Sequence, residues 1–206
     1  MSLPSAEARS ATTRVTRTFA FIDLCGFTDF SDSHGDDAAV GELVKLRASV
    51  RAAAPLFGVR VDKWLGDGVM LVGVDVEPIV AAVVAICNQM SEVGELKMRA
   101  GMATGPVIIL EGDDYVGKAV NTAARLCDRA EAGTILAATD SLVLPDWVEA
   151  EGCQPLHVRG LADPVSVVSL SAIDGAGPHA ASLAPATAIM SVVDGLVRPL
   201  RALKRA

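Results

Sequence analysis

The stretch FAFIDLCGFTD, residues 19–29, begins like a buried strand and is interrupted by an acid. Five of its first six residues are apolar, which predicts a core strand over about residues 17–24. Asp23 lies inside that run, where an ionised carboxylate is costly unless another group compensates its charge. This acid near the end of an apolar strand is therefore the first candidate for a functional residue.

Composition limits the classes of protein to which the chain can belong. Its 206 residues are 51% hydrophobic, which is enough for one domain with a core of its own. The net charge of -7 repels phosphate backbones, so we expect no nucleic-acid partner. The N-terminus lacks the apolar core of a secretion signal, and the four cysteines form no CxxC pair or metal-ligand spacing. We therefore expect a cytoplasmic protein with reduced thiols.

Hydrophobic periodicity predicts the element order β-α-β-β-α-β in the first half of the chain. The predicted elements are a strand at 17–24, a helix at 30–54, a hairpin at 59–74 with its turn at Gly66-Asp67-Gly68, a helix at 76–91 and a strand at 97–110. This order is that of the ferredoxin-like split unit, an α+β fold with one sheet and helices on one face.

The second half continues with a helix at 116–130, a short strand at 133–139 and a final β-hairpin formed by 154–160 and 164–170. We expect residues 1–16 to be a disordered lead-in, 17–171 to be one catalytic domain, and 172–206 to be a linker followed by a basic amphipathic tail. Charges and a proline interrupt that tail, so it predicts no membrane span and at most a weak contact with a membrane surface.

Two acids and the turn after the first strand predict a site that binds a metal ion and phosphate. In a split βαββ unit the first strand and the hairpin are neighbours, so Asp23 and Asp67 would converge and could hold a divalent metal ion. The structural alternative is that Asp67 only forms the turn, because Asp-Gly is a common hairpin turn. Exposed amides at Gly26 and Thr28 could bind phosphate oxygens.

A later helix, within VNTAARL, carries a second pair of polar residues. Asn121 and Arg125 are four residues apart, so they share one helix face. Such a pair is often no more than a solvated surface, and the spacing alone does not decide between the two interpretations.

Four segments together resemble one family. FAFIDLCGFTDF, DKWLGDGVM, KMRAGMATG and DDYVGKAVNTAARL occur in the order and rough spacing of the class III nucleotidyl cyclase catalytic domain. The resemblance covers about residues 17–171 and is strongest to bacterial, mycobacterial-type adenylate cyclases. It implies a ferredoxin-like βαββαβ core with an additional C-terminal β-hairpin.

The resemblance also implies a role for individual residues. Two Mg²⁺ or Mn²⁺ ions per site would be held by Asp23, Asp67 and the carbonyl of Leu24. The other implied roles are base recognition by Lys63 and Asp114, ribose orientation and transition-state stabilisation by Asn121 and Arg125, and phosphate contacts from Arg99, Arg159 and the turn Gly26-Phe27-Thr28.

The base preference follows from hydrogen-bond chemistry once those roles are assigned. Adenine offers an acceptor at N1 and a donor at its amino group, whereas guanine offers the reverse. Lys63 only donates and an ionised Asp114 only accepts, so the pair matches adenine and mismatches guanine. We therefore expect ATP to be converted to cyclic AMP and pyrophosphate. The alternatives are a guanylate or mixed-specificity cyclase, and an inactive nucleotide-binding module.

The resemblance further implies a head-to-tail homodimer with two shared active sites. One chain would supply the metal-binding aspartates, and the other would supply Lys63, Asp114, Asn121 and Arg125. A two-fold dimer is also the commonest arrangement of soluble oligomers.

Overall fold

A computed structural model of the chain describes residues 14–110 and 114–173, which form one eight-stranded sheet and four helices. The strands are β1 (Arg14–Leu24), β2 (Arg60–Leu65), β3 (Gly68–Gly73), β4 (Met98–Ile109), β5 (Tyr115–Val116), β6 (Ile135–Ala138), β7 (Val148–Gly152) and β8 (Val167–Ala172). The helices are α1 (Phe27–His34), α2 (Asp36–Leu56), α3 (Val76–Val93) and α4 (Lys118–Arg129).

The sheet order confirms the predicted α+β, ferredoxin-like core. Its strands are ordered β2-β3-β1-β4-β6-β8-β7. The short strand β5 is outside this order and pairs with β4. The strands β1 to β4 pair with one another in an antiparallel arrangement. β6 follows the crossover through α4 and pairs with β4 in a parallel arrangement. β1 therefore lies between β3 and β4, so its C-terminal end is flanked by both.

Two separate cores cover the two faces of the sheet. Alternate residues of β1 point to opposite faces. Ala20 and Ile22 contribute to the core beneath α2 and α3, while Phe19 contributes to the core beneath α4. The predicted placement of helices on one face therefore holds for α2 and α3, and α4 packs on the opposite face. By the same alternation, Asp23 belongs to the α4 face.

The long helix predicted at 30–54 consists of two helices. α1 ends at His34 and α2 begins at Asp36, because Gly35 between them has a φ of 83°, a conformation that glycine adopts without strain. Pro55 does not stop α2 at the preceding residue, since the helix ends at Leu56. The glycine break therefore separates α1, which begins three residues after the end of β1, from α2.

The predicted position of the last hairpin is wrong for its first strand. β8 pairs with β7, at Val148–Gly152, and residues 154–160 contribute only the isolated bridge from Leu156 to Val165. β7 is an edge strand with four of its five residues exposed, including two glutamates, so it lacks the apolar alternation that predicts a strand.

The boundaries of the domain also differ slightly from the prediction. β1 begins at Arg14, so residues 14–16 belong to the sheet and not to a lead-in. The rest of the predicted lead-in and the tail from residue 174 onward lie outside the described residues. Within the described part of the chain, α3 is long and apolar enough to cross a membrane, but its residues 79–86 are all buried in the core, which explains their composition.

Candidate active site

The two predicted metal-binding acids lie at one corner of the sheet. Asp23 of β1 is directly opposite Gly68 of β3 and Arg99 of β4. Asp67 immediately precedes Gly68 in the β2–β3 turn. The antiparallel register therefore places Asp67 beside the end of β1, as the sequence predicted.

Gly68 leaves room for this arrangement. A Cβ atom at this position would lie 2.8 Å from the carbonyl oxygen of Ile22 and 3.3 Å from Oδ1 of Asp23. Any larger residue would therefore press on the strand and displace the carboxylate. The absence of a side chain lets the Asp23 carboxylate lie against the backbone next to Asp67.

The electrostatics of this corner favour a bound cation. Burial raises the pKa of Asp67, and the negative charge of Asp23 raises it further, while a backbone hydrogen bond and Arg99 act in the opposite direction. A divalent ion would relieve both the burial cost and the repulsion between the carboxylates. Hard oxygen donors suit Mg²⁺ or Mn²⁺, and Leu24 places a backbone carbonyl at the same strand end.

The donor set is small. Among residues 14–110 and 114–173 no group of three or more His, Cys, Asp and Glu side chains could hold a metal ion. Mg²⁺ is commonly bound through one or two carboxylates, with waters and substrate phosphates in the other positions. Asp23, Asp67 and the carbonyl of Leu24 fit an ion of that kind.

Arg99 contacts the carboxylate of Asp23 directly. Its Nε and Nη2 atoms donate to Oδ2 of Asp23 at 3.0 and 2.7 Å, and its Nη1 donates to the carbonyl of Asp128 at 3.2 Å. The bond to Asp23 raises the pKa of Arg99, so this cation is charged at every working pH. Its implied phosphate contact stays a prediction, and the geometry adds an ion pair with Asp23 that sequence reasoning missed.

The turn after β1 leads into α1 through Gly26, whose φ is 73°. No side chain caps the start of this helix, and the amides of the first helical turn have no partner within the helix itself. Phe27 packs its ring against the core beneath α2 and α3, so its backbone rather than its ring is suited to a polar ligand. The predicted phosphate contact of Gly26, Phe27 and Thr28 therefore stays a prediction about backbone amides.

Lys63 and Asp114 are brought together although they are far apart in the sequence. Nζ of Lys63 donates to Oδ1 of Asp114, and their side chains are 45% and 56% exposed. This hydrogen bond is the main reason that the pKa of Lys63 is raised. A donor and an acceptor thus stand side by side on the surface, as the base-recognition prediction requires.

α4 presents Asn121 and Arg125 away from the core. Ala119, Ala123 and Leu126 are buried against the sheet, while Asn121 and Arg125 are exposed on the other side of the helix. Their hydrophilic face is therefore open, as the spacing predicted.

Asp128 links this helix to the corner of the sheet that carries Asp23 and Asp67, here called the metal corner because these acids are the predicted metal ligands. Arg125 pairs with the Asp128 carboxylate at 3.2 Å, and the Asp128 carbonyl accepts from Arg99. Sequence reasoning missed Asp128, although its position three residues after Arg125 places the two on one helix face.

Arg159 has no recorded contact with the other predicted site residues in the described part of the chain. It is exposed in a turn closed by the bond from the Leu161 amide to the Val158 carbonyl, and it forms no ion pair with another described residue. Its implied phosphate contact stays a prediction. Two cavities, of about 330 and 220 Å³, are lined by none of the predicted site residues.

Comparison with known proteins gives uncharacterised mycobacterial relatives and adenylate cyclases. No family model matches the chain. An uncharacterised protein of Mycobacterium tuberculosis is 37% identical over 158 residues, 76% of this chain and 41% of that protein. The pH-sensitive adenylate cyclase of Mycobacterium tuberculosis is 32% identical over 165 residues, 72% of this chain and 38% of that enzyme. The chain thus spans about two fifths of the length of these curated relatives.

Solved structures agree with this relationship. The adenylyl cyclase CyaB from P. aeruginosa matches with a TM-score of 0.67 and 26% identity, over 77% of this chain and 95% of that chain. The guanylyl cyclase Cya2 matches with a TM-score of 0.69 and 22% identity, over 84% of this chain and 99% of that chain, which shows a shared fold alone. The resemblance inferred from the sequence motifs is confirmed, and the chain belongs to the class III nucleotide cyclase family.

Proposed function

We propose that this domain is an adenylate cyclase, which converts ATP to 3′,5′-cyclic AMP and pyrophosphate. The observation that carries the choice of ATP is the ion pair between Lys63 and Asp114. An ammonium donor beside a carboxylate acceptor complements N1 and the amino group of adenine, and it mismatches guanine at both positions. The similarity to a mycobacterial adenylate cyclase supports the same choice.

The proposed cofactors are two Mg²⁺ or Mn²⁺ ions, held by Asp23, Asp67 and the carbonyl of Leu24. When bound, they supply two effects: a lower pKa of the ribose 3′-hydroxyl and neutralisation of charge on the triphosphate. The proximity of the two half-buried carboxylates supports this assignment.

The other residues would position the nucleotide and stabilise charge. Asn121 would orient the ribose, and Arg125 would bind the charge that develops at the α-phosphate during in-line attack by the 3′-oxygen. Arg99, Arg159 and the amides of Gly26 to Thr28 would contact the remaining phosphate oxygens. Because nucleophile and electrophile are on one molecule, such positioning supplies much of the rate enhancement.

The active site is proposed to form between two chains of a head-to-tail homodimer. Lys63, Asp114, Asn121 and Arg125 are all exposed or half-exposed on one chain, where they would be available to a nucleotide held at the metal corner of a second chain. Each dimer would then contain two equivalent sites, and an isolated chain would be inactive.

An assay of the purified domain tests this proposal. With ATP or GTP and either Mn²⁺ or Mg²⁺, we expect cyclic AMP from ATP and much less cyclic GMP from GTP. The D23N and D67N variants should lose this activity, and they should also lose the rise in melting temperature that Mn²⁺ causes in the wild type. Folded, dimeric protein that makes no cyclic AMP would contradict the proposal, and preferential turnover of GTP would favour the guanylate cyclase alternative.

A further inference from the structure

The pairing of β2 with β3 changes register at Asp62. Val61 is opposite Leu71, whereas Lys63 is opposite Met70, the next residue along β3. Asp62 is therefore an extra residue on β2 without its own partner on β3, which is the arrangement of a β-bulge.

This bulge decides which face of the sheet Lys63 occupies. Residues opposite each other on paired strands point to the same face. Leu71 belongs to the core beneath α2 and α3, and Met70 belongs to the core beneath α4. In a regular strand Lys63 would share the face of Val61, because residues two apart point the same way. The extra residue instead turns Lys63 toward the α4 face, and Lys63 pairs with Asp114 from this position.

Three side chains connect the bulge to the residue next to Asp114. Nη2 of Arg60 donates to Oδ1 of Asp62 at 2.6 Å and to the hydroxyl oxygen of Tyr115 at 2.7 Å. The Asp62 side chain is only 3% exposed, whereas the Arg60 side chain is 46% exposed, so the acid is held in place at the strand while the guanidinium reaches it from the surface. The Arg60 guanidinium also lies 5.8 Å from the centre of the Tyr115 ring, within reach of a cation–π interaction.

Tyr115 is in turn anchored in the core. Its ring meets that of Phe19 edge-on, with 5.1 Å between the ring centres. Because Tyr115 follows Asp114 directly and pairs with Ile109 of β4, its anchoring also limits the movement of the Asp114 backbone.

We propose that Arg60, Asp62 and Tyr115, here called the β2 clamp, are positioning residues that set the nucleobase preference by holding Lys63 beside Asp114. The inference rests on the proposed function. A donor and an acceptor discriminate adenine from guanine only while their spacing matches the base edge. The clamp fixes that spacing and touches neither the metal corner nor Arg125. Loosening it should therefore weaken discrimination without removing the chemistry.

The test compares Y115F and R60M with the wild-type domain. Each variant should lower the ATP-over-GTP ratio of kcat/KM by about tenfold, the scale expected for loss of one or two hydrogen bonds. The change should arise mainly from a higher KM for ATP, while kcat at saturating ATP and the affinity for Mn²⁺ stay near the wild-type values. Melting temperatures establish that each variant is folded.

A matched control comes from the other face of the same strand. The Arg47 guanidinium lies 4.7 Å from the centre of the Trp64 ring, so R47M removes a comparable arginine–aromatic contact from β2. Its nucleotide preference should equal that of the wild type. An unchanged ratio in both clamp variants, or an equal loss in R47M, would overturn the inference.

A double substitution separates action through Lys63 from a general effect. In a K63A background, Y115F should lower the remaining ATP preference no further, because the clamp acts through Lys63. Additive losses would contradict the clamp.

Failure of the clamp and failure of the proposed function can be told apart. If the wild type makes no cyclic nucleotide, the proposed function fails, and the clamp is then tested by calorimetric binding of ATP and GTP with Mn²⁺. Y115F should reduce the wild-type difference in affinity between the two nucleotides. A wild type without such a difference, or a Y115F variant that retains it, would overturn the clamp as well.

Discussion

Arg99 donates two hydrogen bonds to a single carboxylate oxygen, Oδ2 of Asp23. The two residues are opposite each other on β4 and β1, and their side chains are 29% and 26% exposed. The positive guanidinium neutralises the negative charge of the Asp23 carboxylate, which would otherwise attract a metal ion. We therefore expect a cation bound at Asp23 to compete with Arg99, which would free the guanidinium for its proposed contact with phosphate.

Substitution of Arg99 tests this competition. R99Q should bind Mn²⁺ several-fold more tightly than the wild type in the absence of nucleotide, because Oδ2 of Asp23 no longer has a cationic partner. Titration followed by electron paramagnetic resonance measures the affinity. The matched control is R129Q, which removes an exposed arginine from the last turn of α4 and should leave the affinity unchanged. Equal or weaker Mn²⁺ binding by R99Q would contradict the competition.

The proposed sharing of each active site between two chains predicts complementation between inactive variants. D23A and R125A should each be inactive, but an equal mixture should recover about one quarter of wild-type activity. Half of the dimers would be mixed, and each mixed dimer would contain one intact site. Cyclic AMP formation after mixing measures the recovery. Mixtures that stay inactive although the variants form mixed dimers would show that the site does not form between chains as proposed.

Lys63 should control base preference rather than chemistry. K63A should reduce the ATP-over-GTP ratio of kcat/KM by about fivefold to 150-fold, because a buried base edge left unpaired costs about 1–3 kcal/mol. Steady-state kinetics with both nucleotides measure this ratio. K97A, which changes another lysine of the domain, is the control and should retain the wild-type ratio. A K63A variant with unchanged preference would refute the base-recognition role.

The pH dependence of that preference follows from the pKa of Lys63. Because the hydrogen bond to Asp114 raises this pKa above its ordinary value of 10.5, the ammonium is charged below that pH and loses its proton only above it. The ATP-over-GTP ratio should therefore stay constant from about pH 6.5 to 9, and it should fall only at higher pH. Competition between the two nucleotides across this range measures the ratio. A decline centred near neutral pH would show that another group sets the preference.

The position of α4 depends on a close approach at Gly101 of β4. A Cβ atom there would lie 2.0 Å from the Cys127 amide nitrogen and 2.3 Å from the Ala123 carbonyl oxygen. G101A should therefore destabilise the fold by about 1–3 kcal/mol or more and displace α4, which carries Asn121 and Arg125. Denaturant unfolding measures the loss, and cyclic AMP formation should fall with it.

The control for that substitution is a glycine inside a helix. Gly41 of α2 has no atom within 4 Å of the position of a Cβ. G41A should stabilise the domain by about 0.5–1 kcal/mol, because alanine loses less conformational freedom than glycine in a helix. If G101A were as stable as G41A, the close packing of α4 on β4 would be contradicted.

Much of the fold could be predicted because its signals are local. The alternation in β1, the Gly-Asp-Gly turn and the apolar stripes of the helices are patterns within a few residues, and they predicted the βαββαβ order. The same locality explains the errors. β7 has exposed glutamates in place of alternating apolar and polar residues, so it was not predicted. One continuous helical pattern predicted a single helix, but Gly35 divides it into α1 and α2.

The sequence by itself determined the family and the two pairs of polar residues, Asp23 with Asp67 and Asn121 with Arg125, because motif order and helical spacing are properties of the chain. Only the tertiary structure shows the contacts themselves: that between Lys63 and Asp114, which the resemblance implied, and that between Asp23 and Arg99, which no sequence pattern predicted. Lys63 and Asp114 are 51 positions apart, and Asp23 and Arg99 are 76 positions apart. Such contacts depend on strand order and register, and a one-residue bulge in β2 is enough to move Lys63 from one face to the other. No pattern within a few residues predicts this change of register, because the register is a property of the pairing between β2 and β3.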